Sequence, residues 1–305
     1  MSRSNYRLAM RNERLEMNAE FDRCRRLVDD SLDSFFKGEF RYKVLLESMR
    51  YSLLAGGKRI RAIMCLKFCE AAGGDILKAL DAACAIEMLH AYSLIHDDLP
   101  CMDDDDMRRG LPSNHIKFGE FTATLAGDAL QAAAFETLLG ADLPSGAIVQ
   151  AGLILTEAAG AHGICGGQYL DINNEGKLLS PDELEEVNRM KTATLISASA
   201  VIGVVAAGGS PVQVKAAEEY ANAVGLAFQL RDDVLDYTST AQELGKPINS
   251  DEKSRKKTFA ALLGTQECER MIRIETEKAI KALNGKFDNA DFLIWLANML
   301  AGRKS

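Results

Sequence analysis

The sequence predicts an all-α protein, a helical bundle folded as a single domain over residues 1–305. Three observations carry that expectation. Apolar residues recur at helical spacing, with no convincing run of period-two strands. Prolines number only six, and five of them (Pro112, Pro144, Pro181, Pro211, Pro247) fall at expected helix boundaries. No Gly/Ser linker, short repeat or compositional break divides the chain, and 47% hydrophobic content is enough for a sizeable core. The spacing accommodates about ten helices.

Composition also excludes. A net charge of −8 with no basic tail argues against nucleic acid as a partner, because phosphate binding needs a basic face. Seven cysteines, an odd number without CxxC spacing, fit reduced thiols in a cytoplasmic protein. Cys65 and Cys69 stand four apart without matching histidines, as core residues do. The most apolar region, Ala193 to Gly209, is shorter than the ~20 residues of a membrane span and reads as a tightly packed core helix.

The elements follow in order. From Ser4 to Phe40, Leu15, Phe21, Leu27, Val28, Leu32 and Phe35 form the inner face of an outer helix. Tyr51 to Met64 reads YSLLAGGKRIRAIM: Gly56 and Gly57 break one helix, and Lys58, Arg59 and Arg61 begin the next. Cations there oppose the helix dipole unless an anion binds, and N-terminal N–H groups with Lys and Arg make a phosphate site. A glycine cap followed by solvated charges is the plainer alternative.

A helix from about Asp75 to Asp98 carries His90 about two turns before Asp97. It leads into His96–Gly110, HDDLPCMDDDDMRRG, with six aspartates followed by Arg108 and Arg109. Pro100 ends or kinks the helix. Like charges this close repel, and a divalent cation would relieve them; a solvated acidic turn is the bland alternative. Beyond it, Gly127 sits inside a helix, which calls for close packing or a bend. Gln168 and Asp171 follow a Gly pair as a polar pair lining a cavity, and Ser180–Pro181–Asp182–Glu183 caps a helix carrying Lys191 and Thr192.

Gly225 to Thr240, GLAFQLRDDVLDYTST, changes the balance. Asp232 and Asp236 share one helix face, with Asp233 beside them and Gln229 upstream. Two carboxylate clusters on apolar helices, with Lys and Arg nearby, suit a diphosphate held through Mg²⁺, which binds few carboxylates and completes its shell with phosphates. The basic run from Leu244 to Gly264, with Lys246, Lys253, Arg255, Lys256 and Lys257, reads as a flap over an anionic substrate. The C-terminal helices show no chemistry.

GGKRIR, HDDLPCMDDDDMRRG, GGQYLD, MKT, FQLRDDVLD and LGKP, in this order, resemble the trans-isoprenyl diphosphate synthases, bacterial farnesyl diphosphate synthases most of all. The resemblance covers about Tyr51 to Gly264 and implies a bundle around a deep central cavity, usually a homodimer. It implies that Asp97, Asp98 and Asp103, with Asp232, Asp233 and Asp236, bind about three Mg²⁺. Arg108, Lys191, Lys246 and Lys256 then match ligands of an allylic diphosphate, and Lys58, Arg61, His90 and Arg109 the isopentenyl diphosphate site. Thr192 and Gln229 match positions near the developing allylic cation. Two departures stand in the basic run: Asn249 and Arg255 replace common glycines, and KSRKK leaves Lys256 and Lys257 interchangeable.

Tyr92 and Ser93 lie about one turn before Asp97 and should point down the cavity. A bulky Tyr92 favours a farnesyl (C15) product; a geranylgeranyl (C20) synthase is the alternative. A terpene cyclase normally lacks GGKR and the second aspartate motif, and a non-catalytic prenyltransferase subunit usually loses part of a motif.

Overall fold

The computed structural model describes residues 3–177, 179–238 and 258–303. Its helices are α1 (Arg3–Asp33), α2 (Lys43–Leu53), α3 (Ile60–Ala71), α4 (Leu80–Asp97), α5 (Asn114–Phe118), α6 (Glu120–Leu139), α7 (Ser145–Ala159), α8 (Ile164–Asn173) and α9 (Pro181–Asn188). A π-helical turn (Arg189–Ala193) joins α9 to α10 (Thr194–Ala206). Then come α11 (Pro211–Thr238), α12 (Phe259–Leu263), α13 (Thr265–Leu283) and α14 (Asp291–Ala301).

The centre is built from helices that are apolar on every side, as helices surrounded by protein must be. In α10 every residue from Leu195 to Val205 except Ser197 is buried, and α3 and α4 are nearly as enclosed. The sequence expectation for the Ala193–Gly209 region therefore holds. α10 packs on α3, α11, α7 and α4; α4 packs along α6, and α11 along α13. By length and apolarity alone, Ser145–Asn173 and Pro181–Ala206 could cross a membrane. The first is interrupted between Ala159 and Ile164, and the second is a capped helix, a π turn and the central α10.

Three details differ from expectation. Leu15 is 57% exposed, whereas Val28 and Leu32 are fully buried, so the inner face of α1 begins further along. α4 starts at Leu80 rather than near Asp75, because the Asp75 carboxylate accepts from the Leu77 N–H at 2.9 Å and holds a turn there. A small hairpin appears inside the acidic stretch: β1 (Met107–Arg108) pairs antiparallel with β2 (Leu111–Pro112). Its two turn residues, Arg109 (φ 53°) and Gly110 (φ 75°), both take the positive φ that a two-residue hairpin requires. Strands of two residues carry no period-two signal to detect.

Candidate active site

α4 stops at Asp97, and the chain folds back on its own C-terminus. The Asp103 N–H donates to the Asp97 carbonyl at 2.9 Å, and the Asp104 N–H to that of Leu99 at 3.2 Å. This return past Pro100 sets Asp103 beside Asp97 despite six residues of separation. The aspartates then divide. Asp98 is 2% exposed and accepts from Arg108 Nε at 2.9 Å. Arg108 also donates to Asp105 at 3.2 Å. Asp97 has no such partner among the described residues: burial pushes its carboxyl up to about 6, Lys191 pulls it down, and Asp103 and Asp98 raise it further.

The hairpin turn sends the adjacent arginines apart. Arg108 goes to Asp98, while Arg109 reaches the glycine loop before α3, donating to the Gly56 carbonyl. A Cβ on Gly57 would lie 3.0 Å from that guanidinium, which is why glycine fits there. Next in the loop, Arg59 turns inward with positive φ (51°) and pairs with Asp29 at 2.8 Å and Glu87 at 3.2 Å. It is thus a structural cation, unlike the expected site residues Lys58 and Arg61 on either side of it. Arg61 donates to His90 Nε2 at 3.3 Å. Burial, followed by the charges of Arg61 and Arg109, holds His90 well below its ordinary value, so it is neutral. Burial also lowers Arg61, Arg109 and Lys58, with a neighbouring cation adding to each. Buried Glu87 opposes this for Arg61 and Arg109, and an anion bound beside these cations would favour their charged forms. Lys58 and Arg109 keep solvent-exposed surface, while Arg61 is half-buried.

Opposite, the π turn carries Lys191 and half-buried Thr192. Lys191 Nζ contacts Asp171 at 2.7 Å and Asp103 at 3.9 Å, bridging α8 to the first aspartate cluster. α8 comes this close because Gly167 lies against the Lys191 backbone, where a Cβ would collide. Gln168 is buried, with both side-chain polar atoms unpartnered, as expected of a group meant to meet water or substrate.

On α11, Asp233 is buried and points into the protein, accepting from the Phe259 N–H at 2.7 Å and from Gln229 Nε2 at 2.9 Å. Asp232 is half-buried and ion-pairs with Arg303, while Asp236 is exposed. Arg303 also lies 4.0 Å over the Phe228 ring, and after burial it is the second cause of the lowered Lys58. The second cluster therefore borders the same glycine-loop cations as the first. Arg303, Glu87 and the π turn were not foreseen; the C-terminal GRKS is a short basic run that nothing in the sequence ties to Asp232. Lys246 and Lys256, expected on the diphosphate, lie outside the described residues, as do Asn249 and Arg255.

Beneath the first cluster, Tyr92 is 7% exposed. Its ring meets His96 edge-on at 5.0 Å, and its hydroxyl is 3.2 Å from Cys165 Sγ. Ser93 is buried and donates to the His90 carbonyl at 3.0 Å. His96 Nε2 in turn bonds the Thr124 carbonyl at 2.9 Å, in a gap that Gly127 leaves open.

Comparison with known proteins bears on what this arrangement does. The Polyprenyl synthetase family matches residues 42–292. The chain belongs to the polyprenyl synthetase family. It is 42% identical over 287 residues to the large subunit 1 of the heterodimeric geranylgeranyl pyrophosphate synthase of Arabidopsis thaliana, covering 92% of this chain and 77% of the relative. Geranylgeranyl pyrophosphate synthetase from Pyrococcus horikoshii superimposes with a TM-score of 0.86 at 31% identity, covering 94% and 98% of the two chains. A putative farnesyl-diphosphate synthase from Marinomonas sp. MED121 gives 0.80 at 35% identity, covering 93% and 98%.

As a polyprenyl synthetase, the chain is a prenyltransferase, a head-to-tail isoprenyl diphosphate synthase. The family uses isopentenyl and allylic diphosphates and, generally, Mg²⁺. The donors present fit that ion. Among the described residues no three carboxylate, imidazole or thiol groups stand together as a ready metal cage. Mg²⁺ does not need one, since phosphates complete its shell. The raised Asp97 carboxyl marks where a cation would be stabilising. Both expected aspartate sets, Asp97, Asp98 and Asp103 and Asp232, Asp233 and Asp236, offer carboxylates that would hold it; Asp98 and Asp233 also accept from protein donors, as Asp232 does from Arg303.

Proposed function

We propose that this polyprenyl synthetase condenses isopentenyl diphosphate with Mg²⁺-bound allylic diphosphates and carries the chain to the C20 product, geranylgeranyl diphosphate. The observation that supports the condensation is the pairing of two sites: a basic pocket of Lys58, Arg61 and Arg109 with neutral His90, bordered by two aspartate clusters. A cyclase needs one diphosphate site; a condensing enzyme needs two. Mg²⁺, when bound, supplies charge neutralisation on the departing diphosphate. Lys191 and Arg108 would bind the same group, Lys191 from its bridge between Asp171 and Asp103 and Arg108 from its contacts with Asp98 and Asp105. The isopentenyl double bond then attacks the allylic C1, and the proton leaves to the released diphosphate. Gln229 has its amide N–H on Asp233, so its carbonyl oxygen is the end left for a developing cation, together with the Thr192 hydroxyl.

The C20 reading rests on the names of the relatives, a geranylgeranyl synthase subunit at 42% identity among them. A second reading, C15, is favoured by one observation: the buried Tyr92 ring below Asp97. Incubation with Mg²⁺, isopentenyl diphosphate and each of dimethylallyl, geranyl and farnesyl diphosphate decides. Conversion of farnesyl diphosphate to geranylgeranyl diphosphate supports C20, and accumulation of farnesyl diphosphate with no further elongation overturns it. We also infer a homodimer; Phe121 and Leu125 on α6, with Val149 and Leu153 on α7, are exposed apolar side chains suited to a second copy.

A further inference from the structure

Behind the wall that carries Lys191 lies a cavity of about 670 Å³. It is framed by α9 and the π turn, by α11, and by α13. Its size is that of a small-molecule pocket. None of the residues lining it belongs to the diphosphate or aspartate machinery described above.

The floor is apolar, with Ala193, Ala223 and Gly225 buried and Leu226 half-buried. The rim is charged, and its charges do not cancel. Glu275 is held by Lys278 at 2.6 Å and Glu219 by Lys215 at 3.9 Å. Lys215 lies outside the lining, so once Glu275 and Lys278 cancel, Arg189, Lys281 and Lys286 face Glu185 and Glu219 with one positive charge in excess, and none of these three cations has an ion pair among the described residues. Asn188 and Asn222 add amide donors. An apolar floor under a rim with excess positive charge fits one ligand chemistry: an apolar chain ending in an anionic head.

The cavity and the active site share one element, the π turn. Arg189 and Ala193, the two ends of the π turn, line the cavity, and Lys191 and Thr192 between them belong to the active site. A π turn is a widened helix that occurs mostly as short bulges at functional sites. The turn also touches the helix of the second aspartate cluster, since a Cβ on Gly225 would lie 2.8 Å from Ala193 Cβ. A ligand that holds Arg189, or wedges between Ala193 and Gly225, therefore shifts Lys191 relative to Asp103.

We propose that this cavity is a regulatory site for an anionic amphiphile, acting on the synthase through the π turn that carries Lys191. The regulatory half rests on the synthase reading; occupancy of the cavity does not. The test uses a photoreactive probe, a benzophenone-tipped alkyl diphosphate, on the full chain in EDTA, with labelled peptides mapped by mass spectrometry. Label on the segments 219–226 and 278–286 is expected, falling about tenfold in Lys281→Glu/Lys286→Glu. Competition by geranyl phosphate against octyl phosphate tells an isoprenoid tail from a linear acyl-type one. With Mg²⁺ and substrates, the probe should raise KM for the allylic diphosphate in the parent chain. The double variant should keep its basal turnover and lose most of that effect. Label confined to α4 and α8, or unchanged in the double variant, overturns the site. Labelling without any change in turnover overturns the regulation. A chain that labels at the cavity but turns over no substrate at all would sink the synthase reading and leave the site standing.

Discussion

Asp97→Asn should stabilise this protein while destroying its activity. The Asp97 carboxyl is raised from 3.8 to about 6, first by burial and then by Asp103 and Asp98 against the pull of Lys191. In the unfolded chain it titrates near its ordinary value. Between those two values the folded state binds more protons than the unfolded one, so stability falls as pH rises through the window from 3.8 to about 6. Above it the full cost of an ionised, desolvated Asp97 is present. The upper limit is about 3 kcal/mol; partial contact with solvent brings it to roughly 1–2 kcal/mol. Urea unfolding in EDTA at pH 7.5 and pH 5 measures it. The Asn variant should be the more stable by that amount at pH 7.5, and the gap should narrow at pH 5. A variant less stable than the parent at pH 7.5, or a gap independent of pH, would refute the reasoning. Turnover of the variant with Mg²⁺ should fall by at least a hundredfold, the scale on which losing a preorganised charge-stabilising group is felt.

Other perturbations test other parts of the site. Arg303 ion-pairs with the Asp232 carboxylate; Arg303→Ala should tighten Mg²⁺ binding a few-fold by calorimetry, matching an ion pair worth about 1 kcal/mol or less, and weaker binding would show that Arg303 assists the metal instead. Gly127→Ala places a Cβ inside the His96 ring and should cost about 1–3 kcal/mol in urea unfolding, as overpacking does; a neutral effect would mean that His96 swings away freely. Tyr92→Ala removes the ring beneath Asp97 and should lengthen the product by at least one C5 unit in a chain-length assay; an unchanged product places the floor elsewhere.

Much of the fold was legible because buried helices write their spacing into the sequence. The enclosure of α10 and the stop at Pro100 were both readable. The hairpin at Met107–Pro112 was not, since two-residue strands leave no periodicity. In the site, residue type and spacing located both aspartate clusters and the glycine-loop cations. They could not sort the aspartates by role. Asp98 is turned inward by Arg108, ten residues on, and Asp233 by the Phe259 N–H, 26 residues on. Those partners arrive by tertiary folding, as does Arg303, which sits over Phe228 from 75 residues away. The π turn under Lys191 has no local signal either, because Arg-Met-Lys-Thr-Ala is an ordinary helical sequence.

The proposed condensation needs two diphosphates side by side, an allylic one between the aspartate clusters and isopentenyl diphosphate in the adjoining basic pocket. The most direct measurement is a single-turnover experiment with Mg²⁺ and geranyl diphosphate, with and without ¹³C-labelled isopentenyl diphosphate. With both substrates, each diphosphate released should match one labelled C5 unit joined to the geranyl chain; with geranyl diphosphate alone, release should be negligible. Rapid release without isopentenyl diphosphate, giving unlabelled cyclic or hydrolysed C10 products, would contradict the account.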